Sequence, residues 1–360
     1  MSKKFTVAIL YGGKSVEHQI SLRSAKNVFD NIDRSKFEPL LIGIDLNGNW
    51  YQLHEFRNEI QDGDPVMMQL RQDNRVFFNM KENKNLGPVD IVFPVIHGND
   101  GEDGSIQGLF KTLNIPVVGS GVTGSALAMD KVLSKKIMRD AGIKVSRFRH
   151  YFIEEKDSIR FEDVTADLGL PLIIKPVSSG SSVGVSKIKS REEFFMALDD
   201  TFQYDNEIIF EEFIAGREME CAVIGNRQPV ASLPGEVLVA SHHDFYSFEA
   251  KYVDDDGASL EMPARVPEDV VKRIHETVIK AYIALKCEDY SRVDFFLTPA
   301  GEIIINEINT IPGFTDISMF PQLWKISGIA YPDLVTRLIE EALQKHARNE
   351  RLKRSFDSKL

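Results

Sequence analysis

Cysteine is almost missing from this chain: Cys221 and Cys287 are the two thiols in 360 residues. Two cysteines cannot staple a chain of this length, and no C-x-x-C spacing offers a zinc or redox pair. Both read as small buried hydrophobes. No apolar run approaches the roughly 18 residues that a membrane helix needs. The run at positions 5–10 is also too short for the core of a signal peptide, so the expectation is a soluble, cytoplasmic protein. An excess of positive charge is lacking too, with 43 Lys and Arg against 54 Asp and Glu for a net charge of −11. Sequence-independent nucleic-acid binding requires clustered cations, so the chain is a poor candidate for it and no nucleic-acid partner is expected. A local basic pocket for a small anion is not excluded. There is no internal repeat, no low-complexity tract and no G-x-x-x-x-G-K-[ST] phosphate loop.

What is present is an ordinary globular composition, 43% hydrophobic and 27% charged, in a chain long enough for two or three domains. The start alternates elements as a parallel α/β unit does. A β-rich run at 5–11 is broken by Gly12 and Gly13, and helical spacing follows over 17–31. A strand at 39–44, an almost purely apolar strand at 90–96 and a further strand at 115–118 complete a first domain, 1–119. A helix over 125–141 stops at Gly142. Beyond it, short strands at 148–153, 172–175, 185–188 and 208–212 surround a helix at 191–201, which reads as α+β and forms a second domain, 120–212. The third, 213–360, holds a strand at 218–224, a polar stretch at 241–260, a helix at 268–285, a hairpin at 291–309 and a closing helix at 331–345. The charged tail after it reads as a solvated end.

One motif misleads. Gly119, Gly121 and Gly124 satisfy G-x-G-x-x-G, but a dinucleotide site also needs an acid roughly 20 residues further on, at the end of the next strand. Val145, Ser146 and Arg147 stand there instead, so a glycine-rich interdomain turn is the better reading.

Lys175-Pro-Val-Ser-Ser-Gly-Ser-Ser-Val-Gly184 is more informative. A lysine ends a strand and eight small, flexible or hydroxyl-bearing residues follow, which is long for a passive hairpin. Backbone N–H groups, hydroxyls and a lysine suit phosphate oxygens. In the 291–309 hairpin, a register that opposes Leu297 to Glu302 opposes Asp294 to Ile305. Alternation then puts Arg292, Asp294, Glu307 and Asn309 on one face. Two carboxylates and an amide are hard oxygen ligands suited to Mg²⁺ with nucleotide phosphates. Glu211 and Glu218 flank a turn at Gly216, where one can hold a ribose diol or both can be exposed hairpin acids. The 241–260 stretch mixes aromatic and charged residues and fits either a lid that excludes water or a packed surface loop. Glu17 and His97 each follow a strand of the first domain.

Taken in order, these segments resemble the ATP-grasp superfamily and, within it, the D-alanine–D-alanine ligase family. The likeness runs through Tyr11-Gly-Gly-Lys-Ser-Val-Glu-His18, the 97–108 segment beginning His97-Gly-Asn-Asp, Met129-Asp-Lys131, the 175–184 loop, Glu249-Ala-Lys-Tyr252, Arg292-Val-Asp294 and Asn306-Glu-Ile-Asn-Thr-Ile-Pro-Gly313. It implies an N-terminal parallel-sheet domain followed by two α+β domains gripping ATP, and a homodimer. It implies that ATP phosphorylates one D-alanine and the amine of a second attacks the acyl phosphate, supplying D-alanyl-D-alanine for peptidoglycan. The same fold using D-lactate or D-serine is the alternative.

By the same resemblance, Lys131, Lys175 and Lys251 would hold the ATP phosphates, with Ser182 in the covering loop. Glu211, Glu218 and the Phe213 and Ile214 backbone would lie by the nucleoside. Asp294, Glu307 and Asn309 would bind two Mg²⁺ or Mn²⁺ ions. Arg292 and the Gly313 N–H would face the developing oxyanion. Glu17 would pair with the first D-alanine and, with Ser181 and Tyr252, hold the lid closed. His97 would sit near that first substrate, and Tyr246 and Ser318 near the second. Relatives that make D-alanyl-D-lactate often carry histidine where Tyr252 stands, so this tyrosine implies an amine nucleophile.

Overall fold

The structure, a computed structural model, describes residues 4–71, 73–240, 254 and 257–353. Among the described residues the strands form three sheets. In the first part of the chain these elements follow one another: β1 (Phe5–Gly12), α1 (His18–Asn31), β2 (Phe37–Ile44), β3 (Trp50–Leu53), β4 (Asp64–Met68), β5 (Phe77–Asn79), β6 (Lys84–Asn85), β7 (Ile91–Val95) and α2 (Ser105–Thr112). The strands form one seven-stranded sheet in the order β6-β5-β4-β3-β2-β1-β7. β1 pairs in parallel with β2 and β7, and β2 to β6 continue as an antiparallel arm. The parallel part is therefore narrower than the sequence suggests. Every residue of β7 is buried, as an apolar run between two covered faces requires. The strand expected at 115–118 is reduced to a single bridge between Val117 and Val92.

The helix expected over 125–141 is two helices, α3 (Val122–Met129) and α4 (Lys131–Asp140). Asp130 breaks it: its backbone is extended, at φ −77° and ψ 102°, and its carboxylate accepts a hydrogen bond from the Leu133 N–H at 2.8 Å. An aspartate that caps a new helix start competes with continuing the old helix, and here it wins. β8 (Phe148–Phe152), α5 (Phe161–Leu168), β9 (Leu172–Pro176), β10 (Ser186–Ile188), α6 (Arg191–Thr201) and β11 (Glu207–Glu212) follow. Their sheet is four-stranded, ordered β10-β9-β11-β8 and antiparallel.

The third sheet has six strands: β12 (Arg217–Ile224), β13 (Val230–Ala231), β14 (Gly235–Val239), β15 (Ala258–Glu261), β16 (Tyr290–Leu297) and β17 (Ile303–Asn309). Helix α7 (Glu268–Ala284) packs on it, and α8 (Met319–Ile326) and α9 (Tyr331–Asn349) close the chain. These last two helices do more than finish the third unit. Phe314, Phe320, Leu334 and Leu338 share one apolar core with Val7, Ile9 and Phe93 of the first sheet. The two ends of the chain are thus fused by burial. The misleading glycines lie at this seam: Gly119 N–H donates to Asp289 at 2.9 Å, and a side chain at Gly124 would meet the Lys286 carbonyl at 2.4 Å. Both cysteines are buried, and burial pushes each thiol up to about 12. Among the described residues, no helix is long and apolar enough to cross a membrane.

Candidate active site

A cleft of about 590 Å³ opens between the four-stranded and six-stranded sheets. One wall is β9, β11 and the 178–185 loop. The other is β12, β14 and the β16–β17 hairpin. Lys131, Lys175, Ser181, Ser182, Glu211, Phe213, Ile214, Glu218, Asp294 and Glu307 all line it.

The hairpin carries the acids, and its register explains how. Leu297 pairs with Ile303 and Phe295 with Ile305, one step from the expected pairing. A bulge then inserts Asn306, so Asp294 faces Glu307 and Arg292 faces Asn309. Without the bulge, Glu307 would point into the core beside Ile305. The turn slips by one residue and the bulge adds another, which restores the face that simple alternation gave. Arg292 holds both oxygens of Asp294, each at 2.7 Å, and reaches Glu220 at 2.9 Å. Burial works against the guanidinium charge, but Asp294 and Glu220 more than offset it, so its proton is held more firmly than usual. Asn309 donates its amide to Asp294 at 2.9 Å.

Lys131 opens α4, seated there by the Asp130 cap. Its ammonium donates to the Ser179 carbonyl at 2.6 Å and stands 4.0 Å from Glu307. Burial lowers its pKa, with Glu307 acting in the other direction. Lys175 on β9 donates to Asn306 Oδ1 at 3.1 Å and lies 3.4 Å from Glu211. Glu211 is no exposed hairpin acid: it is 3% exposed and also accepts from Ser146 at 2.8 Å. Burial acts to raise its carboxyl, yet Lys135 and Lys175, with the Ser146 hydroxyl, outweigh that and bring it to about 2. Its neighbour Glu212 is accounted for by Arg147, 2.7 Å away. Lys187 lies 3.9 Å above the Phe213 ring.

The 178–185 loop reaches toward the first sheet. Ser181 and Ser182 have φ of +52° and +58°, a left-handed backbone that costs a residue with a Cβ and that surrounding contacts must sustain. One such contact is the Ser181 hydroxyl, which donates to Glu17. A side chain at Gly180 would come within 3.1 Å of the same carboxylate. His97, 2% exposed, hydrogen-bonds the Ile311 carbonyl at 2.9 Å and Ser24 at 3.2 Å, with Glu102 at 3.7 Å. Burial disfavours its charged form, but Glu102 and Glu17 prevail and raise its pKa. Gly313 and Ser318 are neighbours, since a side chain at Gly313 would meet Ser318 Oγ at 2.9 Å. Tyr246, Lys251 and Tyr252, with most of the 241–260 segment, lie outside the described residues; its last residues open β15, Ala258–Glu261.

Sequence reasoning missed Lys135, Ser146, Glu220 and Asn306. Lys135 is four residues after Lys131, so helical spacing already puts the two on one face. Asn306 stood inside a recognised motif but carried no role, because a bulge leaves no mark in a run of alternating residues.

Two facing antiparallel sheets, a lysine pair beneath a glycine–serine loop and acids on the opposite hairpin define an ATP-grasp ligase. The comparisons narrow this. Residues 6–120 match the family described as D-ala D-ala ligase N-terminus, and residues 137–340 the one described as D-ala D-ala ligase C-terminus. D-alanine–D-alanine ligase of Oceanobacillus iheyensis is 47% identical over 99% of each chain. D-alanine–D-alanine ligase A of Escherichia coli K12 is 44% identical over 98% of this chain and 99% of its own. Among solved structures, the VanG D-Ala:D-Ser ligase of Enterococcus faecalis has a TM-score of 0.86 at 36% identity, covering 94% of this chain and all (100%) of that one. The D-alanine–D-alanine ligase of Coxiella burnetii has a TM-score of 0.83 at 34% identity, covering 96% of this chain and 97% of its own. The chain belongs to the D-alanine–D-alanine ligase family.

Proposed function

We propose that this protein joins two D-alanines to D-alanyl-D-alanine at the expense of ATP, through an acyl phosphate, as a step toward peptidoglycan. The observation that carries the reading is the convergence of Lys131, Lys175, Asp294 and Glu307 on one cleft under the 178–185 loop. A carboxylate is a poor electrophile until one of its oxygens becomes a good leaving group. The work left to the protein is to position the phosphates and reactants and to neutralise charge.

The donor set fits a hard divalent cation. Asp294 and Glu307 face each other across the ladder, where like charges are destabilising unless a cation separates them. Mg²⁺ or Mn²⁺, as two ions held by Asp294, Glu307 and the Asn309 amide oxygen, would neutralise the nucleotide phosphates. In this reading Lys131 and Lys175 bind those phosphates, Lys251 joins them, and Ser182 in the loop covers them. Glu211, Glu218 and the Phe213–Ile214 backbone hold the nucleoside. Arg292 and the Gly313 N–H face the oxyanion that forms when the amine attacks. Glu17 and His97 orient the first D-alanine, and Tyr246 and Ser318 the second. Glu17, Ser181 and Tyr252 form the latch of the lid. We further propose three domains, 1–119, 120–212 and 213–360, a homodimer, and a cytoplasmic location.

The test is phosphate release from Mg-ATP with D-alanine alone, with L-alanine alone, and with D-alanine plus D-lactate or D-serine, each product identified by mass. The expected result is release with D-alanine alone and a D-alanyl-D-alanine product. A depsipeptide, or a mixed D-alanyl-D-serine product made in preference, would move the second substrate to the alternative and remove the significance given to Tyr252. No release in any mixture would sink the ligase reading.

A further inference from the structure

Two lysines converge on one carboxylate beneath the cleft. Lys135, on α4, is 1% exposed and is not among the residues that line the cleft. Its ammonium donates to Ser146 Oγ at 3.1 Å and to the Asn306 carbonyl at 3.3 Å, and stands 3.3 Å from Glu211 Oε2. Lys175, which does line the cleft, lies 3.4 Å from the same Glu211 oxygen. Their situations differ. A buried ammonium without a carboxylate is strongly destabilising, and Lys135 is enclosed by Ser146, Glu211 and the bulge of β17 at Asn306. Lys175 stands at the cleft wall, where another anion can replace Glu211 as its partner.

We propose that Lys135 is a positioning residue for nucleotide binding: as the permanent counter-ion of Glu211, it leaves Lys175 available to the phosphates. The proposal rests on the nucleotide reading of the cleft. Without Lys135, Glu211 has Lys175 as its remaining ammonium, and Lys175 is then held back from the ligand. The same ammonium ties β11 of one sheet to the Asn306 bulge of the other, so it also fixes the two walls against each other.

The test separates phosphate from nucleoside. The wild-type protein, Lys135→Met and the double variant Lys135→Met/Glu211→Gln are titrated with ATP and, separately, with adenosine by calorimetry. The quantity read is the ratio of the two affinities. In Lys135→Met this ratio is expected to fall about tenfold, the size of one lost charged hydrogen bond. In the double variant, where no carboxylate remains to hold Lys175, it is expected to return toward the wild-type ratio. Damage to the fold alone would weaken ATP and adenosine together and leave the ratio in place. That outcome, or an unchanged ratio for any reason, overturns the proposal, as does failure of the double variant to recover. Should Lys135→Met not fold, Ser146→Ala loosens the same ammonium; a smaller drop in the ratio supports the proposal and no drop overturns it. If the wild-type protein does not bind ATP at all, the nucleotide reading falls and takes the proposal with it. That is distinct from ATP binding with an unmoved ratio, which overturns the proposal alone.

Discussion

The core under the first sheet and the floor of the cleft are both buried, and they are made of opposite materials. Beneath β1 and β7, Val7, Ile9, Phe93 and Val95 pack against Phe314, Leu334 and Leu338 with hardly a polar atom among them. On and just beneath the cleft floor, Lys131, Lys135, Glu211 and Glu220 are buried too, with Arg292 and Asp294 partly covered. Removing apolar surface from water stabilises folding by about 25 cal/mol per Å². Removing charges from water opposes folding, and pairing at best roughly repays the cost. The first region therefore holds the molecule together. The second is held in place by the rest of it.

The largest effect that separates the two is on turnover. Glu307→Ala is expected to lower turnover by roughly a hundredfold to a thousandfold while the melting temperature changes little, because relief of two facing acids offsets the loss of the carboxylate 4.0 Å from Lys131. A large fall in melting temperature in that variant would show that the acids are structural and would erase the contrast. Phe93→Ala should do the reverse. This ring is fully buried and meets Phe314 edge-on with centroids 6.0 Å apart. Its loss should cost about 3–5 kcal/mol in urea unfolding, with activity per folded molecule nearly unchanged.

Acid should find the cleft floor before the apolar core. The Glu211 carboxyl is depressed from 4.5 to about 2 in the folded chain. Its contribution to stability is therefore complete above about pH 4.5 and is lost as pH falls from there toward 2. Unfolding midpoints measured across that window should fall more steeply for the wild-type protein than for Glu211→Gln; parallel curves would refute the assignment. The smallest expected effect is at the helix start that seats Lys131. Asp130→Ala removes the bond to the Leu133 N–H and should cost about 1 kcal/mol, with the KM for ATP rising more than that for D-alanine. An equal rise in both would mean that the cap supports the fold generally rather than the lysine.

The two regions also differed in how far they could be read in advance. Strands β1 and β7 follow from a β-rich and an apolar run between breakers, and the helix expected over 191–201 is α6. Local patterns suffice where one kind of interaction dominates. The cleft was legible as a set of residue types, since lysines, acids and a glycine–serine loop are rare enough to stand out. Its geometry was not. The hairpin register depends on a bulge at Asn306, and the break at Asp130 depends on a capping bond competing with helix propagation. The short strands β4, β5 and β6 were invisible for a related reason: each is defined by its partner across the sheet.

Which segments fold as strands and helices over most of the chain, the main lysines and acids of the cleft, and the family to which they belong were all legible in the residues alone. These are local properties, carried by periodicity, by breakers and by residue type. It took the tertiary fold to bring α8 and α9 back to complete the core of the first sheet, to share Glu211 between Lys135 and Lys175, and to turn Glu307 into the cleft through a one-residue bulge. Each of these brings together residues distant in the chain, and burial and charge pairing act between such residues without leaving a local trace of the partner that each will find.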